Sequence, residues 1–188
     1  MAILCHTEYS SQKKALLENS LLNLMAQTPY QDITVTDLCR DVNIPRRTFY
    51  HYFGSKEDVL ESIIETLVQQ CFLEGDFRLH PDTKHIEQRF ARIFRFWDQE
   101  NREKLNALIK NGLESRLLAC SSRWVQKERS GLIQQLNMDP KLVEIGLMVG
   151  ITDFFTLLFY WSRGGYLETP EQMAKYAVAV LPHAFYHL

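Results

Sequence analysis

The sequence holds almost no signal for β-strands. No sustained alternation of apolar and polar residues bounded by Asn-Gly or Asp-Gly turns occurs in its 188 residues, which argues against sheet-based folds. An excess of positive charge is missing too. The formal charge is -2, so no global field draws in nucleic acid, and any such binding must come from a local patch. The four cysteines, Cys5, Cys39, Cys71 and Cys120, are scattered and form no CxxC pair; buried thiols in a reducing compartment are expected rather than a disulfide framework or a zinc knuckle. The first residues, MAILCHTEYSSQ, lack a basic region followed by a long apolar one, so no export signal is read and a cytoplasmic protein is expected. GxSxG, HExxH and a phosphate-cradling glycine loop are all absent, so neither an enzyme nor a cofactor is expected.

What is present points to helices. Apolar residues make up 46% of the chain and charged residues 23%, a balance that supports a folded globular protein. A first helix is expected from about Ser11 to Gln27, with Leu17, Leu21 and Leu24 on one stripe, ending before Pro29. Thr34-Val-Thr-Asp37 has the capping-box pattern and opens a short helix over Val35 to Val42. Asn43 follows where the chain must turn sharply, being one of the few residues besides glycine that tolerate a left-handed backbone. The helical period resumes from Arg46 to Tyr52, and Ser55-Lys-Glu-Asp58 reads as a second capping box that opens a long helix reaching Cys71 or beyond. Later helix starts are read at Asp82, at Asp139 before Pro140, and at Thr169 before Pro170.

The stretch NIPRRTFYHYFGSK, residues 43–56, contains no acid. On a helix Phe49 and Phe53 share one face with the apolar positions Ile44, Leu38 and Val42, so both rings are expected in the core. The opposite side carries Arg47, Thr48, Tyr50 and His51, with Arg46 at the amino-terminal end. A charged helix face is often merely solvated. Two short helices joined by a tight turn, however, form a helix-turn-helix whose second helix can enter the major groove. Arginine can grip guanine there, threonine can touch a base or a thymine methyl, and tyrosine hydroxyls can bond phosphate. Lys56, in the first turn of the next helix, would add an ammonium beside free N–H groups.

The segment ITVTDLCRDVNIPRRTFYHYFGSKEDVL resembles the DNA-binding signature of the TetR/AcrR family of transcriptional regulators: a threonine-capped helix, a turn, threonine followed by aromatics, then Ser-Lys-Glu. Thr34, Val35, Asp37, Leu38, Ile44, Thr48, Tyr50, Phe53, Lys56 and Glu57 are among the matching positions, and the detailed match covers roughly residues 10–65. The resemblance implies an all-α homodimer with a helix-turn-helix DNA-binding domain at residues 1–56. Residues 57–188 would form a ligand-binding and dimerisation domain. It implies DNA contacts from Thr34, Thr36, Arg46, Arg47, Thr48, Tyr50, Tyr52 and Lys56, and a repressor released from a palindromic operator by a small molecule. Three positions depart from the family pattern: Asn43 replaces the usual turn glycine, Pro45 the usual cap serine, and Arg47 a small residue. A co-activator working through a protein partner is the alternative.

Past the long helix the chain is rich in rings. Phe90, Phe94, Trp97 and Trp124 are candidates to line a ligand pocket, with Thr152 and Asp153 as its polar groups; plain core is the competing reading of such stripes. Residues 142–161 are long and apolar enough to cross a bilayer, but Asp153 near the middle would cost about 2.5 to 3.5 kcal/mol there, so a helix packed on protein is expected and no membrane. Gly146 and Gly150, together with Ala174, Ala177, Val178 and Leu181, are the expected dimer surface. His183 and His187 have metal-ligand spacing without an evident third ligand, and no metal site is assigned.

Overall fold

The computed structural model describes residues 2–75, 85–136 and 139–180, and every regular element within them is helical. The chain divides inside one of its helices into two compact units, Met1–Thr66 and Leu67–Leu188.

The first unit is built from α1 (Ala2–Gln27), a 3-10 turn (Tyr30–Asp32), α2 (Val35–Asp41), α3 (Arg46–Tyr52) and the start of α4 (Lys56–Glu74). The first helix starts well before Ser11, because no proline or glycine interrupts the residues upstream. Leu17, Leu21 and Met25 of α1, Leu38 of α2, Phe49 and Phe53, and Leu60 and Ile64 of α4 are all buried. The α1 stripe therefore runs at strict i, i+4 spacing through Met25 rather than through Leu24, which is half-buried.

Local chemistry sets the boundaries. Thr34 Oγ1 accepts from the Asp37 amide at 3.2 Å while Asp37 Oδ2 accepts from the Thr34 amide at 3.0 Å, closing the expected capping box. Asn43 adopts φ 52°, and the Ile44 amide then reaches back to the Cys39 carbonyl at 2.9 Å, so the chain leaves α2 and enters α3 within a few residues. At α4 the second box differs from expectation. Ser55 Oγ accepts from the Asp58 amide at 3.1 Å, but Asp58 Oδ2 takes the amide of Gly54 at 2.9 Å, one residue further out, where a Cβ would stand only 2.9 Å from that oxygen.

The second unit contains the end of α4 and then α5 (Ile86–Arg95), a π turn (Phe96–Glu100), α6 (Arg102–Lys110), α7 (Glu114–Leu136), α8 (Pro140–Arg163) and α9 (Pro170–Val180). Asp139 caps α8 through the Lys141 amide at 2.8 Å, and Thr169 with Gln172 forms a reciprocal box at α9. The start expected at Asp82 lies outside the described residues, as do Leu181, Pro182, His183 and His187. Helix α9 packs along α5, and α8 along α7.

One expectation about this unit is corrected. Ala174 and Ala177, fully buried on α9, and Gly150, buried on α8, do not face outward to a second copy, whereas Gly146 and Val178 of the same expected surface are half-buried. Helix α8 is long and apolar enough to cross a membrane by length and composition. One of its faces, with Val143, Ile151, Phe154, Leu158 and Trp161, is buried in the unit, and the opposite face exposes Leu142, Ile145, Val149 and Tyr160.

Candidate nucleic-acid interface

The second helix of the pair has two chemically distinct sides. Phe49, with no exposed surface, and Phe53 anchor it to the core, their ring centres 6.2 Å apart. Arg46, Arg47, Tyr50 and His51 lie exposed, while Thr48 and Tyr52 are half-buried at the margin of the same surface. Burying two rings at i, i+4 fixes the helix's rotation, which turns its cations outward.

The outward groups are partly organised. Arg46 Nη2 donates to Tyr50 Oη at 3.2 Å, and the guanidinium carbon lies 5.9 Å from the Tyr50 ring centre. That hydrogen bond raises the guanidinium above its ordinary value, so Arg46 stays charged. Arg47, exposed on the same face, makes no hydrogen bond or ion pair among the described residues. His51 and Tyr52 meet edge to face at 5.1 Å.

Thr34 and Thr36 are both exposed at the start of α2. The Thr34 hydroxyl is committed to its cap, since it also donates to Asp37 Oδ2 at 2.5 Å. Thr36 remains on the surface beside it. Lys56, expected at a phosphate, has its ammonium directed into the chain: Nζ donates to the carbonyls of Ile33 at 2.6 Å, Tyr30 at 2.7 Å and Gln31 at 3.1 Å. Tyr30 carries no motif of its own and joins the site only through its contacts, its ring 4.5 Å from Lys56 Nζ and its hydroxyl donating to Glu57 Oε1 at 3.2 Å.

The residues assigned to a ligand pocket are placed differently from one another. Phe90, Phe94 and Trp97 are buried, with Phe94 5.5 Å from Phe154 and 5.4 Å from Trp161 at right angles. Trp97 Nε1 donates to Cys71 Sγ at 3.3 Å. Trp124 is half-buried and stacks on Phe72 at 4.1 Å. Thr152 is exposed, its hydroxyl donating to the Met148 carbonyl at 2.9 Å, and Asp153 is half-buried. Among the described residues no group of three His, Cys, Asp or Glu side chains is arranged to hold a metal ion.

Residues 20–63 match the family model for bacterial regulatory proteins of the tetR family. The chain is 46% identical over 49 residues to the HTH-type transcriptional regulator EthR of Mycobacterium tuberculosis, a match covering 26% of this chain and 23% of that protein. The chain thus spans under a quarter of the EthR length it matches. It is 24% identical over 115 residues, 54% of this chain and 61% of the other, to the Staphylococcus epidermidis biofilm operon icaADBC HTH-type negative transcriptional regulator IcaR. Two solved structures share the fold. The dihydroxyacetone kinase operon activator DhaS superposes with a TM-score of 0.55 at 18% identity, over 89% of this chain and 93% of that one. A tetR-family transcriptional regulator from Streptomyces coelicolor does so at 0.57 and 17%, over 89% and 78%. With an exposed basic α3 set on a capped helix pair, residues 20–63 carry the DNA-binding segment described by the model for bacterial regulatory proteins of the tetR family.

Proposed function

We propose that the protein is a dimeric transcriptional repressor that holds a palindromic operator and is released from it by a small-molecule effector. The observation that carries this reading is the acid-free outer face of α3, with Arg46, Arg47 and Tyr50 exposed above a buried Phe49. Arg46, Arg47 and Thr48 at the start of α3 read base edges; Tyr50, Tyr52, Thr36 and the backbone around Thr34 bond phosphates. IcaR, named a negative regulator, supports repression as the direction of control. The protein works by occupying DNA in the cytoplasm, with no chemical step of its own.

A second copy joins through the exposed apolar stripe of α8, whose Leu142, Ile145, Val149 and Tyr160 lie along one side. Thr152 and Thr156, also exposed, continue that stripe. Two recognition helices then meet successive major grooves about 34 Å apart. The effector is held in the second unit by rings from the set Phe90, Phe94, Trp97 and Trp124, with the half-buried Asp153 as polar group; Thr152, expected beside it, lies on the exposed face of α8 instead. Because Phe90, Phe94 and Trp97 are already close-packed, it must part those rings, and α4, unbroken from Lys56 to Glu74, carries the change.

Titration onto fragments of the promoter flanking the coding region, at several salt concentrations, tests the reading. Affinity should fall steeply with salt and drop on Arg46→Ala and Arg47→Ala. Binding that is absent, or indifferent to salt and to both arginines, overturns it.

A further inference from the structure

We infer that Lys56 is a positioning residue: its ammonium clamps the turn before α2 to the head of α4 and is not a phosphate ligand. At the end of the 3-10 turn Tyr30–Asp32 the Tyr30 carbonyl already accepts from the Ile33 amide at 3.3 Å, and a carbonyl with two lone pairs can take a second donor; the carbonyls of Gln31 and Ile33 accept from the same ammonium. An ammonium has three N–H bonds and no more. Those of Lys56 go to Ile33 O at 2.6 Å, Tyr30 O at 2.7 Å and Gln31 O at 3.1 Å. A phosphate oxygen, itself an acceptor, would find no proton left on Nζ to take.

The surroundings reinforce the arrangement. The Tyr30 ring lies 4.5 Å from Nζ and supplies a negative face to the cation, while the next residue, Glu57, accepts the Tyr30 hydroxyl at 3.2 Å. The turn is thereby held from two consecutive positions of the first turn of α4. Ile33, whose carbonyl takes the shortest of the three bonds, directly precedes Thr34, the cap of α2. Lys56 therefore fixes where α2 begins, and the tight turn at Asn43 passes that placement to α3.

The effect on DNA affinity rests on the repressor reading above; the clamp itself does not. Lys56→Arg separates the two roles, since a planar guanidinium keeps the charge that a phosphate needs but cannot converge on three carbonyls as an ammonium does. In the free protein the Lys56 ammonium protons should be protected from exchange and visible by nitrogen-15 NMR. Amide exchange at Ile33 and Asp37 should speed up about tenfold in both Lys56→Arg and Lys56→Met, as the turn becomes ordered in only about a tenth of molecules. On operator DNA, well below either variant's melting temperature, both should lose about tenfold in affinity with the slope of log affinity against log salt unchanged. A loss of about 0.9 in that slope for Lys56→Met, with wild-type affinity retained by Lys56→Arg and exchange unaltered, would overturn the inference. If the wild-type protein binds no DNA, the repressor reading fails, and the exchange and NMR results still decide the clamp.

Discussion

The guanidinium of Arg46 and the phenol of Tyr50 meet across one turn of α3, Nη2 donating to Oη at 3.2 Å. Tyr50 is half exposed, so the pair contributes little to folding; its effect is to hold an arginine that would otherwise sample many rotamers. Tyr50→Phe keeps the ring and removes the hydroxyl. Urea unfolding should place its stability within about 0.5 kcal/mol of wild type. Operator affinity, read by fluorescence anisotropy, should fall severalfold. A double-mutant cycle with Arg46→Ala should give a non-zero coupling if the two side chains act on DNA as one unit. Phe49→Ala one residue away is the contrast: emptying a fully buried ring site should cost about 3 to 5 kcal/mol and unfold the first unit along with its DNA binding.

Acid should loosen the start of α2. The Asp37 carboxyl is held below its ordinary value of 3.8 first by the hydrogen bond from the Thr34 hydroxyl and then by the Thr34 amide, with Arg40 Nη1 adding a contact at 3.2 Å. A carboxylate whose folded value is depressed stabilises the fold above its unfolded value and loses that contribution as pH falls through the folded one. The melting temperature of the protein should therefore show an acid limb below pH 3.8 that is diminished in Asp37→Asn. Thr34→Ala, which removes the cap itself, should cost about 1 kcal/mol at neutral pH. Identical acid limbs in wild type and Asp37→Asn would show that the carboxylate contributes nothing through this bond.

Features written into a few consecutive residues were the legible ones. The Thr34 box, the left-handed Asn43 and the inward Phe49 and Phe53 each depend on local spacing, and each stands where the sequence places it. Features that depend on what a distant segment supplies were not legible. Lys56 looks like a free cation in sequence, because nothing near it announces that the carbonyls of residues 30, 31 and 33 will converge on it from across the unit. Ala174 and Ala177 form a stripe that suits either a partner subunit or α5, and periodicity alone does not say which. The same holds for the rings: Phe90 and Trp124 are both aromatic residues on apolar stripes, yet one is sealed in the core and the other half-buried against Phe72.

The thiol of Cys71 should be chemically inert while the protein is folded. It is buried, and burial, the largest influence on it, pushes its pKa up to about 12, against which the hydrogen bond donated by Trp97 Nε1 works in the opposite direction. At neutral pH the nucleophilic thiolate is therefore almost absent and the sulfur is out of reach of reagents. Peptide mapping after iodoacetamide treatment should find Cys71 labelled only at the rate at which the second unit unfolds. The raised value also sets a sign for alkaline pH. A thiol that is neutral in the fold but ionises near 9 in the unfolded chain gives its full stabilisation below 9 and loses it as pH rises towards about 12. Cys71→Ala should remove that alkaline limb while leaving a small cavity beside Trp97, so its stability at pH 7 should fall by about 1 kcal/mol and decline less steeply above pH 9 than wild type. Rapid labelling of Cys71 in folded protein at neutral pH would show that α4 opens locally at this point, and the alkaline limb would then have to come from another group.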